Sequence, residues 1–228
     1  MRYQRAFALF CLLALGLPSS GRPTSASASQ AQVVDRIVAR VEDDVIALSE
    51  MRELGAYQEL VEDRAEPDER LIQELIEQWA IRNEAQAAQF PQPSEAEVER
   101  QLQQVRARFP GEEAFAKKLS TLGLTLEALR AIVKQQIYLT SYIDYRFRPT
   151  VDVDDNAIAK YYSETLAPAL TAKQQTVPPL DSVSLQIREL LITKAVSERV
   201  TSWLDETKAR LKIENELAAK PAVTESKP

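Results

Sequence analysis

The segment Val33 to Glu50, with the sequence VVDRIVARVEDDVIALSE, limits the possible folds more than any other part of the chain. From Val33 to Val41 apolar residues recur at every second position, interrupted only by Asp35, as in a strand that buries one face. Glu42 to Asp44 favour a turn over a strand, and a short β-branched run begins at Val45. The segment therefore predicts a β-hairpin at the start of the folded chain.

Helical patterns follow this hairpin. Ser49 can accept a backbone N–H as the N-cap of a first helix, while Glu50 and Glu53 place negative charge where the helix dipole favours it. Further along, apolar residues recur three and four positions apart, which is the spacing of amphipathic helices. These patterns predict helices over about 49–63, 67–90, 94–109, 112–121, 125–147 and 153–162, and one long helix over about 180–212.

Two segments near the C-terminus depart from the helical pattern. Residues from about Ala167 to Pro179 contain AKQQTVPP, which has no hydrophobic period and two adjacent prolines, and this predicts a linker. Leu211 and Ile213 alternate with charged residues and predict a short strand that joins the hairpin. The fold class expected from the whole pattern is mainly α, with a small N-terminal β-hairpin joined by a C-terminal strand.

The first 28 residues have the layout of a secretory signal peptide. Arg2 and Arg5 precede an apolar run from Ala6 to Leu17, and small residues end at Ala26-Ser27-Ala28. The apolar run is shorter than the ~20 residues that span a bilayer, and no later segment is as apolar. We therefore expect export to the periplasm, cleavage, and no stable membrane insertion.

Composition excludes several classes of function. The chain has no histidine, which removes His-dependent triads, the usual zinc sites and the commonest general base. Its five glycines form neither of the standard nucleotide-binding loops, and its one cysteine, Cys11, lies in the predicted signal. Residues 29–228 carry 25 basic and 34 acidic side chains, a formal charge of −9 that argues against nucleic acid as a partner. We expect no cofactor.

One acidic group near residue 155 resembles part of a calcium loop. Asp152, Asp154 and Asn156 match its first three side-chain ligands, but Ala157 replaces the required glycine and Ser163 stands where a glutamate belongs. We interpret the group as a helix N-terminus capped by Asp154, and we predict no metal site there.

Five tyrosines in the second half of the chain are the candidate binding residues. Tyr138, Tyr142 and Tyr145 recur at i, i+4 and i+7 and form a stripe beside the apolar face of one helix. Such a stripe is commonly part of a core or its edge. Tyr161 and Tyr162 follow closely, and clustered aromatic rings with a polar tip suit loose recognition of unfolded peptides.

The order of these segments is similar to a known family. A chain that opens with VDRIVARVEDDVIALSE, continues through several helices and closes with Ser202-Trp203-Leu204 and a Lys212-Ile213 strand resembles the SurA-type periplasmic chaperones. The similarity covers about residues 33–150 and 180–215. It implies that the two parts fold together as one helical body related to the substrate-binding region of trigger factor. Asp43-Asp44 stand in the hairpin turn, where the family usually has Asn or Gly.

The resemblance also marks a missing part. A parvulin-type prolyl isomerase domain normally separates the two chaperone segments of this family, but the interval Val151 to Ser182 holds 32 residues, fewer than the ~50 of a small domain. Parvulin sites also characteristically use histidines. The expected organisation is a signal peptide (1–28), a SurA-like N-terminal chaperone domain (29–150), a short helix and proline-containing linker (151–182), a C-terminal helix and strand (183–217) and a disordered tail (218–228).

The resemblance implies an ATP-independent holdase, without enzymatic activity, for unfolded exported or outer-membrane proteins. The expected state is a monomer or weak dimer whose partners are unfolded polypeptide clients. Two alternatives remain open from the residues alone. One is a prolyl isomerase with a degenerate site, and the other is a non-catalytic adaptor of the cell envelope that binds one folded partner.

Overall fold

A computed structural model of the chain describes residues 35–217. The predicted signal peptide over 1–28 and the predicted tail over 218–228 lie outside these residues. Across the described range, no helix is both long and apolar enough to cross a membrane.

The described chain is mainly helical with one small sheet, so the predicted fold class is confirmed. Its elements in chain order are β1 (Ile37–Val41), β2 (Asp44–Ala47), α1 (Leu48–Glu62), α2 (Asp68–Ala87), α3 (Glu95–Arg106), α4 (Glu112–Leu122), α5 (Leu126–Phe147), α6 (Asp155–Tyr161), α7 (Ala167–Ala172), α8 (Leu180–Lys208) and β3 (Ile213–Asn215).

The sheet joins the two ends of the described chain. Its strand order is β2-β1-β3, and both pairings are antiparallel. The hairpin closes with Val41 opposite Asp44, and Glu42 in the turn has a φ of 54°. On the other side of β1, Ala39 lies opposite Asn215. The predicted C-terminal strand is therefore confirmed, and it pairs with the first strand of the hairpin.

The alternation predicted for the first strand holds only in part. Ala39 and Val41 are buried as expected, but Val38, which belongs to the other face of a regular strand, is buried too. The register with β2 shifts between Ile37 and Ala39, as it does at a β-bulge. A bulge bends the strand and re-aims its side chains, which accounts for burial on both faces.

The start of the first helix differs from the prediction that Ser49 is its N-cap. Helix α1 begins one residue earlier, directly after β2, and the N–H of Ala47 donates to Glu50 Oε2 at 2.8 Å. The Ser49 hydroxyl instead donates to the carboxylate of Asp35. The prediction was wrong because the strand leads into the helix without an intervening loop, which moves the cap position to Ala47.

Helix α5 runs through two hydrophobic clusters and holds them together. One cluster packs the sheet against α1, α2, the second half of α5 and the end of α8, with Val38, Ile76 and Leu139 among its buried members. The other packs α3 and α4 against the first half of α5, around Leu102 and Leu129. The prediction that residues 125–147 form a long central helix is confirmed.

A third, smaller cluster lies around α6 and the first half of α8, with Val153, Ile158 and Ile187 buried. We call this part of the molecule, residues 151–192, the arm. The predicted linker from Ala167 to Pro179 was partly wrong, because Ala167–Ala172 forms α7 and only the residues after it are irregular.

Pro168 explains how the chain stays helical where a break was predicted. A proline lacks the N–H of a regular helix, and its ring clashes with the carbonyl group four residues earlier. The turn just before it, Tyr162–Leu166, is a wider π-helical turn, and Pro168 lies in the first turn of α7. Proline is tolerated in a first turn, so α6 continues into α7 through the π-turn.

Candidate functional site

The tyrosine stripe on α5 divides into buried and exposed members. Tyr138 and Tyr142 are buried, whereas the side chain of Tyr145 is 66% exposed. The ring of Phe90, just after α2, lies 5.8, 5.4 and 5.3 Å from the rings of Tyr138, Tyr142 and Tyr145. Burial raises the pKa of the Tyr138 phenol, and the neighbouring Tyr142 adds to this shift. Of these three rings, only that of Tyr145 is open to a partner.

Arg146 fixes the helices beside this aromatic group. Its guanidinium donates to Glu84 and, at 3.2 Å, to the Tyr142 hydroxyl, and it stacks 5.1 Å from the ring of Trp203 on α8. Burial alone would lower the pKa of Arg146, but these two oxygens raise it above its ordinary value. Through its contacts with Glu84 on α2 and Trp203 on α8, the guanidinium of Arg146 on α5 holds these three helices together.

Tyr161 and Tyr162 belong to the arm and differ in their environment. The hydroxyl of Tyr162 donates to the carbonyl of Pro178 at 2.7 Å, which ties the π-turn to the connection before α8. Tyr161 instead lines an open groove along α8 between Leu185 and Glu198. The five predicted tyrosines therefore do not form one surface, because three lie on α5 and two lie in the arm.

The groove beside Tyr161 is a large open apolar surface within residues 35–217. It has a volume of about 900 Å³ and is lined by Tyr161 and one face of α8, including Leu185, Leu190 and Thr193. Leu185 is 77% exposed and Leu190 is 48% exposed. Isolated exposed leucines are ordinary, but two such residues with an aromatic ring on one concave surface make this groove a candidate interaction site.

The groove arises because the arm covers only one side of a helix with apolar residues on two sides. Val183, Ile187 and Leu191 of α8 pack against α6, and these residues recur at helical spacing. Leu185 lies on the other side of α8 and is largely uncovered, whereas Leu190, seven residues after Val183, lies at the edge of the packed face and is only half covered. Neither leucine is among the candidate binding residues predicted from the sequence. The available signal was that α8 carries apolar residues over more than one face between 180 and 192.

Charged pairs hold the arm and border the groove. Arg148, just after α5, donates through one nitrogen to both carboxylate oxygens of Glu189, at 2.7 and 2.5 Å. This hydrogen bonding, chiefly from Glu189, raises the pKa of Arg148. On the other side of the arm, Arg188 donates to Asp155 at 2.6 Å and to the carbonyl of Val153. The rim is therefore polar and mixed in charge, as in many protein interfaces.

The acidic group at the start of α6 is a helix cap. Asp154 Oδ1 accepts the N–H of Ala157 at 2.8 Å, so the interpretation of Asp154 as N-cap is confirmed. The carboxylate of Asp155 forms an ion pair with Arg188. Between residues 35 and 217, no three or more His, Cys, Asp or Glu side chains are arranged to hold a metal ion.

No protein-family model and no curated protein matches the chain.

Proposed function

We propose that the chain is an ATP-independent periplasmic holdase that binds unfolded exported or outer-membrane polypeptides. The observation that carries the proposal is the open groove of Tyr161, Leu185 and Leu190 on the first half of α8. It offers apolar surface on a concave, polar-rimmed face, which is what an extended chain with scattered apolar side chains requires.

The area available in the groove implies weak binding. Full burial of a leucine side chain contributes roughly 1.5–3 kcal/mol, so covering the exposed parts of Leu185 and Leu190 contributes about 2–4 kcal/mol together. Micromolar affinity requires about 8 kcal/mol after the costs of association. A client must therefore contact several places at once, and Tyr145 is a second candidate contact. Binding through several weak contacts allows release without ATP.

The connection between the chain ends also supports the proposal. Strand β3 pairs with β1, and the end of α8 packs into the same cluster as α1 and α2. This is the arrangement that the resemblance to SurA-type chaperones implies, with N- and C-terminal segments forming one body. The 32-residue interval from Val151 to Ser182 is occupied by short helices of the arm and the start of α8, which leaves the holdase as the activity that the resemblance offers.

The test is light scattering of a denatured outer-membrane protein diluted into buffer with and without residues 29–228. We expect suppressed aggregation at a near-stoichiometric ratio. The variant Leu185→Ala/Leu190→Ala should protect less well than the unaltered protein. Leu126→Ala is the matched control, because Leu126 is 47% exposed on α5 outside the groove, nearly the same as the 48% of Leu190.

Two results would contradict the proposal. Aggregation that is unchanged by residues 29–228 would exclude a holdase and favour an adaptor that binds one folded partner. Equal loss of protection in the groove variant and in Leu126→Ala would show that the groove has no special role in client binding.

A further inference from the structure

A second concave site lies between α2 and α5, away from the groove on α8. It has a volume of about 230 Å³ and is lined by Arg82, Gln86, Gln92, Ala131, Lys134, Gln135 and Tyr138. We call it the cationic pocket. Its two charged groups are both positive, although residues 29–228 carry an excess of acidic side chains. A positive pocket on an acidic protein selects for negative ligand groups.

Arg82 is the uncompensated charge of this pocket. No carboxylate between residues 35 and 217 forms an ion pair with its guanidinium, although the neighbouring arginines Arg130 and Arg146 are both paired. Lys134 is partly offset, because its ammonium group lies 3.5 Å from a carboxylate oxygen of Glu95. Glu95 itself is held mainly by Arg130, at 2.8 Å. The guanidinium of Arg82 is therefore the positive group of the pocket that is most available to an anion.

The amide side chains of the pocket have unused hydrogen-bonding capacity. Gln135 donates to Gln78 Oε1 at 2.9 Å, which holds its side chain in place and leaves its own oxygen as an acceptor. The side chains of Gln86 and Gln92 form no hydrogen bond within residues 35–217. Amide groups can donate to and accept from the peptide groups of an extended chain.

The size of the pocket favours a carboxylate attached to a peptide over a small free anion. The pocket volume of about 230 Å³ is well above the ~10–15 Å³ that a single water molecule needs. That room accommodates a carboxylate and the adjoining peptide group. Tyr138 forms one wall, and its ring lies 5.8 Å from Phe90, which in turn lies 5.3 Å from the exposed Tyr145. The chain of a bound peptide could thus continue onto an aromatic surface.

We propose that the cationic pocket binds a carboxylate of an extended polypeptide, with Arg82 as its main charged partner and the glutamine amides as partners of the adjoining peptide group. This inference rests on the proposed function, since it names the part of a client that the protein selects. The carboxylate can come from the C-terminus of a client or from an Asp or Glu side chain.

The experiment measures binding of three fluorescent ten-residue peptides to residues 29–228 by anisotropy. The first two share one uncharged sequence, and the third differs from it at one position. The first has a free C-terminal carboxylate, the second is amidated, and the third is amidated but contains one internal Glu. We expect the first to bind roughly three- to tenfold more tightly than the second, as is typical of an accessible charge-assisted contact. The advantage should shrink as salt is raised. Tight binding of the third would identify a side-chain carboxylate as a further ligand.

The variant Arg82→Gln should abolish the advantage of the free carboxylate. Arg100→Gln is the matched control, because Arg100 is an exposed arginine of α3 outside the pocket and the variant makes the same change of charge. Equal binding of all three peptides to the unaltered protein would overturn the proposal, and this comparison does not depend on any variant folding. An advantage that persists in Arg82→Gln would overturn the assignment of the site.

Light scattering separates failure of this inference from failure of the proposed function. Suppressed aggregation without preference for a carboxylate would refute the pocket and leave the holdase. Preference for the free carboxylate without suppressed aggregation would refute the holdase and leave the pocket as a site for a peptide carboxylate.

Discussion

Replacement of Leu204 by alanine tests how strongly the C-terminal helix is bound to the rest of the fold. Leu204 and Ile187 are the only buried residues of α8, and Leu204 belongs to the cluster that contains the sheet and α2. Removal of a buried leucine side chain costs about 2–5 kcal/mol, depending on the cavity that remains. Leu204 is 7% exposed and lies at the margin of its cluster, so we expect the lower part of this range, about 2–3 kcal/mol.

The matched substitution is Leu185→Ala on the same helix. Leu185 is 77% exposed, so roughly three quarters of its surface already contacts solvent and its loss removes little buried area. We expect a change in the free energy of unfolding within about 0.5 kcal/mol, as for most surface substitutions. The two positions share residue type and helix, whereas Leu204 is buried and Leu185 is exposed in the arm.

The assay is urea unfolding of residues 29–228, followed by far-ultraviolet circular dichroism and by tryptophan fluorescence. With a slope of about 2 kcal/mol per molar urea, the Leu204→Ala midpoint should fall by roughly 1–1.5 M. Coincident transitions by the two probes would justify a two-state treatment. The reasoning is refuted if the two variants lower stability equally, or if Leu204→Ala costs less than about 1 kcal/mol, since α8 would then not be anchored by this contact.

Three further predictions concern Asp44 in the hairpin, Asp35 before it, and the arm. Asp44→Ala should cost about 1–2 kcal/mol in urea unfolding, because Asp44 Oδ2 accepts the indole N–H of the buried Trp79 at 2.8 Å, whereas Asp43→Ala should cost less. Hydrogen bonding from Ser49 lowers the pKa of the Asp35 carboxyl below its ordinary value of 3.8. The stability linked to this shift is therefore present above pH 3.8 and is lost as the pH falls through the lowered pKa of the folded state. Ser49→Ala should raise the pKa of Asp35 in an NMR titration, and an unchanged pKa would contradict the assignment. Amide hydrogen exchange should be faster in α6 and the first half of α8 than in α2 and α5, because the arm buries few residues, and equal protection would show that the arm opens only with the whole fold.

The sequence predicted the elements whose signals are local. The acidic residues Glu42 and Asp43 marked the hairpin turn, and Asp154 was predicted as the N-cap of α6. These features depend on neighbours a few residues away, which a single sequence contains. Two local predictions failed. The helix expected to be capped by Ser49 is capped at Ala47 by the carboxylate of Glu50, and the linker expected around Pro168 is partly helical because a π-turn precedes it.

The candidate site was predicted less well than the fold, as the tyrosines illustrate. Tyr138, Tyr142 and Tyr145 share one stripe in the sequence, yet the fold buries two of them and leaves the third open. The difference arises because Tyr138 and Tyr142 belong to the cluster that packs the sheet against α2 and the end of α8, and Tyr145 does not. The apolar pattern of α8 likewise predicts a helix but not which of its faces other helices will cover. The exposure of Leu185 and Leu190 therefore did not follow from the sequence.

The sequence by itself therefore determined the mainly helical class, the hairpin and most helix positions, because hydrophobic period and capping act over a few residues. Only the tertiary structure decided which apolar and charged groups remain open. The groove on α8 exists because α6 covers one face of a helix that is apolar on two, and Arg82 is unpaired because the nearby carboxylates engage other cations. Exposure and pairing depend on residues distant in the chain, so they become defined only when the helices pack.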